Sequence, residues 1–178
     1  MDPYALIEKY YDKKSDLYVV LVAHSKQVMK KALLIAHKHP ELHIDTEFVT
    51  EAALLHDIGI FLCNAPRIFC VGTHQYIEHG YLGAQLLRSE GYEKHALVCE
   101  RHTGTGLTRE MIELNNLPIP LGNYEPKSIE EQVICYADKF YSKSKLGMEH
   151  SVAKILKDLS RYGASQVERF EHWHKLFD

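Results

Sequence analysis

Apolar residues recur at steps of three and four along most of the chain, the spacing of a single helix face. Leu17, Val20, Leu21, Val28, Ala32 and Ile35 form such a stripe over residues 17–37, and His24 lies on it, three after Leu21 and four before Val28. Asp45 and Thr46 offer an N-cap for a second helix, EFVTEAALLHD, that stops near Gly59. The pattern predicts a third helix over 77–90, closed by Gly91, and a fourth over 93–103, closed by Gly104 and Gly106. Thr108 starts a short helix that ends before Pro118 and Pro120. Ser128 and Glu131 have capping-box spacing and open the helix IEEQVICYADKFYSK. Two amphipathic segments follow, one with Val152, Ile155, Leu156 and Leu159, the other with Val167, Phe170 and Phe177. No stretch alternates with the period of a half-buried strand. The looser segments are 62–76 and 104–127; the first reads as a loop by default and as a lid at most. The prediction is therefore an all-α, single-domain bundle.

Composition narrows the function classes. At 178 residues the chain has the size of one domain and buries a core without disulfide or metal staples. Its formal charge of −3 supplies no basic excess to grip a nucleic-acid polymer, and no apolar run spans a bilayer, so neither partner is expected. The N-terminus, MDPYALIEKYYDKK, lacks a signal-peptide core. Cys63, Cys70, Cys99 and Cys135 form no CxxC pair, which fits a reducing cytoplasm better than a disulfide framework. The 12 histidines are the unusual count.

The densest signal is His56-Asp57-Ile58-Gly59 after the apolar run AALL. Successive helical side chains point about 100° apart, so a neutral imidazole and an adjacent carboxylate can both reach an ion between them. An isolated HD dipeptide is, by default, only a capped helix end with a surface His. His24 sits on a buried stripe, where an imidazole needs either a hydrogen bond or a metal. His79 opens IEHGYLGAQLL, and His102 closes CERHTG, both beside glycines. Asp138, in CYADKFY, is too apolar in its setting to stand unpaired; a metal would satisfy it, and so would Lys139 or Lys143.

Taken in order, His24, His56-Asp57 and Asp138 resemble the H…HD…D pattern of the HD-domain superfamily of metal-dependent phosphohydrolases, with HDIG as the central element. The resemblance covers residues 20–145, and AALLHDIG, HGYLGAQLLRSEG, ERHTGTGL and CYADKF look like a small, poorly characterised prokaryotic branch. It implies one HD domain over 1–178, with its core at about 17–145, flanking helices at both ends and a metal site inside. It also implies one ion on His24, His56, Asp57 and Asp138, and a second on His79 and His102 with Asp57 as the bridge. Where some branches carry another histidine after the second extra one, this chain has Thr103, leaving that ion fewer protein ligands. The GYP element of cyclic-dinucleotide phosphodiesterases is absent.

Imidazole and carboxylate together favour divalent Fe or Mn, with Co, Ni or Zn as alternatives, over Mg. The expected reaction is attack of metal-activated water on a nucleotide or related phosphate ester or anhydride. Lys139 is the foremost candidate phosphate contact; His74, Arg67, Lys26 and Arg101 are weaker substrate candidates. Two other classes share the ligand types: a di-iron oxygenase of the HD-domain kind, and a non-catalytic metal or nucleotide sensor, whose expected mark is a lost ligand. Substrate identity and oligomeric state are left open by the sequence.

Overall fold

The computed structural model describes residues 1–178. The stripe around His24 forms α2, Asp16–Lys38, capped by Ser15, whose hydroxyl accepts from Tyr18 N at 3.1 Å. Before it lies α1, Pro3–Tyr10, which the apolar pattern did not disclose although its cap is local: Asp2 accepts from Tyr4 N and Ala5 N, and Pro3 occupies the first turn. The second predicted helix is α3, Thr46–Leu55, with Asp45 accepting from Phe48 N at 3.0 Å. It ends two residues before the expected stop, and the chain tightens into a 3₁₀ turn over Ile58–Leu62. There follow α4 (His79–Ser89), α5 (Glu93–Arg101), α6 (Arg109–Leu114), α7 (Ile129–Asp138), α8 (Val152–Leu159) and α9 (Ala164–Phe177). The fold is all-α apart from β1 (Asn64–Ala65) and β2 (Cys70–Val71), a small antiparallel hairpin in the segment read as loop. No helix is long and apolar enough to cross a membrane.

Two local expectations needed correction. The helix opened by Ser128 does not run to 143; α7 ends at Asp138, and residues 139–150 fold back instead. Tyr141 pairs with Glu149 across this loop, and His150 N donates to Phe140 O at 2.8 Å. The capping box there is half formed: Ser128 accepts from Glu131 N, but the Glu131 carboxylate takes Lys127 N and the Arg101 guanidinium. A complete box stands at Gln75 and Glu78, ahead of α4.

The core has two parts. Val28, Ala32 and Ile35 of α2 pack with Val49, Ala52 and Ala53 of α3, with Val133–Ala137 of α7 and with Phe170, Trp173 and Phe177 of α9. Val20 and Leu21 of the same helix pack with Leu6, Ile7, Leu55, Ile58, Ala84, Leu87 and Cys99. His24 sits on α2 between the two sets, so the buried polar residues gather where the two apolar clusters meet. Glycines bring the remaining walls close. A Cβ at Gly59 would lie 2.3 Å from His79 O and 2.5 Å from Gly83 N, and one at Gly83 would lie 2.6 Å from Cys99 Sγ. Only glycine lets α4 rest directly on the HDIG turn and on α5.

Candidate metal centre

Each element delivers one or two polar side chains to the seam. His24 comes from the middle of α2, His56 and Asp57 from the end of α3, His79 from the first turn of α4, His102 from the residue after α5, and Asp138 from the last of α7. All six are buried. Asp57 is the hub. Its Oδ2 lies 3.2 Å from His24 Nε2 and 3.0 Å from His56 Nε2, and its Oδ1 lies 3.4 Å from both His79 Nε2 and His102 Nε2. Asp138 Oδ1 closes the first group at 2.9 Å from His24 Nε2 and 3.5 Å from His56 Nε2. His24, His56, Asp57 and Asp138 thus offer one set of donor atoms and Asp57, His79 and His102 a second, each set within 4.8 Å.

The hydrogen bonds around the rings orient these nitrogens. His56, His79 and His102 each donate from Nδ1 to the carbonyl three residues earlier, at 2.7, 2.6 and 2.7 Å, on Ala53, Tyr76 and Cys99. In the neutral rings the lone pair is then on Nε2, facing inward. His79 Nε2 and His102 Nε2 stand 3.0 Å apart, so two lone pairs oppose each other unless a proton or cation lies between. Neither oxygen of the fully buried Asp57 is in a well-aligned hydrogen bond, nor is His56 Nε2; the Lys143 ammonium reaches only Oδ2, and Oδ1 faces imidazole nitrogens alone. A buried carboxylate in that condition is costly, and divalent cations shared through it would satisfy all of these atoms. The donor set fits a divalent transition metal, and its division into two groups about one carboxylate suits two ions.

Charge is tuned accordingly. Burial opposes ionisation of Asp57 and Asp138, yet His56 and Lys143 around the first and Lys139 and His24 around the second hold both well below the usual carboxylate range. Burial pulls His56 down, but the adjoining Asp57 and Asp138 carboxylates outweigh it and push the imidazole up to about 9. Burial and the neighbouring His102 bring His79 down to about 3, leaving it neutral.

Two lysines stand at the mouth. Lys139 Nζ lies 2.8 Å from Asp138 Oδ2 and donates to His102 O at 3.0 Å. Lys143 Nζ lies 2.6 Å from Asp57 Oδ2. The sequence offered Lys143 only as a partner for Asp138; its pairing with Asp57 follows from the chain turning back after α7. Arg67 is exposed on the rim of a cavity that reaches Asp138. The other weak candidates are not brought to the centre. His74 bonds Glu78 at 3.1 Å beside the α4 capping box, Lys26 is exposed over the Tyr4 ring, and Arg101 is drawn to Glu131 at 3.0 Å. Tyr76 and His150, which line the same cavity as Arg67, carry no periodicity or motif that sequence reading could use.

Residues 21–142 match the HD domain family. The chain belongs to it. This HD-domain protein is 35% identical over 145 residues to an uncharacterized protein of Methanocaldococcus jannaschii, MJ0778, covering 79% of this chain and 78% of that one. It is also 35% identical over 126 residues to a tRNA (cytidine(56)-2'-O)-methyltransferase of Thermoplasma volcanium, and 31% identical over 128 residues to one of Picrophilus torridus. Those matches take in 70% and 71% of the HD-domain chain but only 32% and 33% of the methyltransferases. No solved structure matches.

Proposed function

We propose that this HD-domain protein is a metal-dependent phosphohydrolase that cleaves a phosphate ester or anhydride in a nucleotide-sized substrate, with water as the attacking group. The observation that carries the reading is Asp57: a fully buried carboxylate at the junction of two donor sets, one oxygen turned to each of two histidine groups. Two divalent cations, Fe or Mn by ligand preference with Co, Ni or Zn as alternatives, would activate water and draw in phosphate oxygens there. Under this reading His24, His56, Asp57 and Asp138 hold the first ion and Asp57, His79 and His102 the second.

The remaining roles belong to side chains at the mouth. Lys139 and Lys143 carry positive charge beside the two carboxylates and suit the oxygens of a phosphoryl group. No cysteine competes with water as nucleophile. Burial pushes the thiols of Cys63 and Cys135 up to about 12 and of Cys70 up to about 11, and raises Cys99 well above its ordinary value, so none is a thiolate at neutral pH. The methyltransferase relatives act on tRNA by name, but a net charge of −3 favours a small substrate over a nucleic-acid polymer.

Hydrolysis forms one bond from water oxygen to phosphorus and breaks one from phosphorus to the leaving oxygen. Turnover of a nucleotide panel by the manganese-loaded protein in ¹⁸O water should therefore put one labelled oxygen into the phosphoryl product, read by mass spectrometry. Confirmed turnover without label overturns the reading, and oxygen consumption by the iron-loaded protein would replace it with the oxygenase.

A further inference from the structure

Lys143 and Tyr76 form a wall shared by two cavities that meet at Asp138. The first, about 390 Å³, lies between the β1–β2 hairpin segment and the loop 141–150, and is within the size range of small-molecule sites. Arg67, Tyr76, Ser142, Lys143, Ser144 and His150 line it. Asp138 is its one acidic residue and is already engaged by His24 and Lys139. The cavity therefore presents cationic and hydroxyl donors and no free carboxylate. Burial pushes the Tyr76 phenol up to about 12, so it keeps its proton. The loop is held in place by the Tyr141–Glu149 pairing and by Lys31 Nζ, 2.5 Å from Glu149.

Arg67 decides what such a cavity is for. Of the six arginines, Arg88, Arg101, Arg109, Arg161 and Arg169 all pair with a carboxylate of the chain. Arg67 alone pairs with nothing, and the His150 ring beside the same cavity has no partner either. An unpaired guanidinium facing a carboxylate-poor cavity that opens on the centre is arranged to receive an anion. The second cavity, about 330 Å³, differs. It holds Lys139 and Lys143 beside His79 and His102, and shares Ile77, Thr103 and Gly104 with a recess of about 200 Å³ walled by Leu107, Met111, Tyr162 and Gln166, in which there is no cation.

We propose that the Arg67–His150 cavity is a second anion subsite, which holds a non-scissile phosphoryl group beside the one attacked at the metal centre. This deepens the phosphohydrolase reading and rests on it for the neighbouring group. The substrate class is a phosphate ester or anhydride carrying at least two phosphoryl groups, with its less polar part directed to the Leu107–Met111 recess. A phosphoryl group suits the subsite better than a carboxylate, because Arg67, Lys143 and the two serines together offer more donors than two oxygens accept.

The test is calorimetric titration of the manganese-loaded protein with inorganic pyrophosphate and with orthophosphate at matched free manganese. The intact protein should bind pyrophosphate at least tenfold more tightly. Arg67→Met should bring that ratio close to one, and His150→Gln should lower it in the same direction. Lys26→Met, which removes an exposed cation outside the cavity, should leave it unchanged; melting curves confirm that the variants are folded. Equal affinity for the two probes in the intact protein, or a preference that survives Arg67→Met, overturns the subsite. An Arg67-dependent preference in a protein that hydrolyses nothing keeps the subsite and overturns the hydrolase. Hydrolysis without any preference does the reverse.

Discussion

Asp57 concentrates at one residue what the whole site requires. Its oxygens are shared between two histidine groups, and without metal only the positive charges of His56 and Lys143, both on the Oδ2 side, balance it. Asp57→Asn removes the negative charge and one of the two oxygens, so the bridge fails on both sides. The variant should carry no tightly bound metal and lose at least about 100-fold in activity, the scale of losing an electrostatic catalytic contact. His79→Gln should surrender only the second ion and keep the first, because His24, His56 and Asp138 do not depend on it. Metal analysis of the purified variants counts the equivalents; two ions in His79→Gln would contradict the binuclear arrangement. That the six residues would cluster was legible through the resemblance to the H…HD…D pattern; residue type and helix position alone left each of them a bland alternative. Tyr76 and His150 were not legible, and Lys143 was offered only as a partner for Asp138. They reach the site through a fold-back and a loop, where position depends on contacts distant in the chain and no local period marks it.

Helices were legible where an apolar stripe and a capping residue coincided, as at Asp45 for α3 and Thr108 for α6. Their ends were read less well. The pattern IEEQVICYADKFYSK stays amphipathic past Asp138, but the pairing of Tyr141 with Glu149 competes with the helix and wins. Glycine in HDIG looked like a helix stop, whereas in the fold it is an interface. The 3₁₀ turn of Ile58–Leu62 touches α4 so closely that a methyl group at Gly59 meets backbone atoms of His79 and Gly83. Backbone gives way less easily than a side-chain tip, so Gly59→Ala should destabilise at or above the upper end of overpacking costs, about 3 kcal/mol. For a chain of this length each kcal/mol lowers Tm by ~2–4 °C. Because α4 carries His79, the same substitution should weaken the second metal more than the first. A melting curve and a two-site metal titration check both; an unchanged Tm would mean that α4 is free to shift.

At the scale of the molecule, the candidate centre joins elements from α2 to α7 across the seam between two apolar clusters, so a metal held there would couple its binding to folding. A metal that binds only the folded chain adds RT ln(1 + [L]/Kd), ~4 kcal/mol at a thousandfold excess over Kd. Its contribution should depend on pH, and the sign follows from the groups involved. With metal chelated, His56 is held at about 9 against an ordinary 6.5, so its contribution is complete below 6.5 and fades as pH rises through about 9. Asp57 and Asp138 are held below the usual range, so theirs is present above about pH 4 and is lost only in acid. The chelated protein should therefore melt highest between about pH 4 and 6.5 and lose stability toward pH 9. Metal responds in the opposite direction, because binding must expel the His56 proton and that competition weakens as pH rises toward 9. The difference in Tm between manganese-loaded and chelated protein should be positive at pH 6.5 and larger at pH 9. Calorimetric scans at the two pH values measure it directly. A difference that vanishes at both would detach the centre from the fold, and one that shrinks toward pH 9 would show that His56 does not hold the proton that the metal displaces.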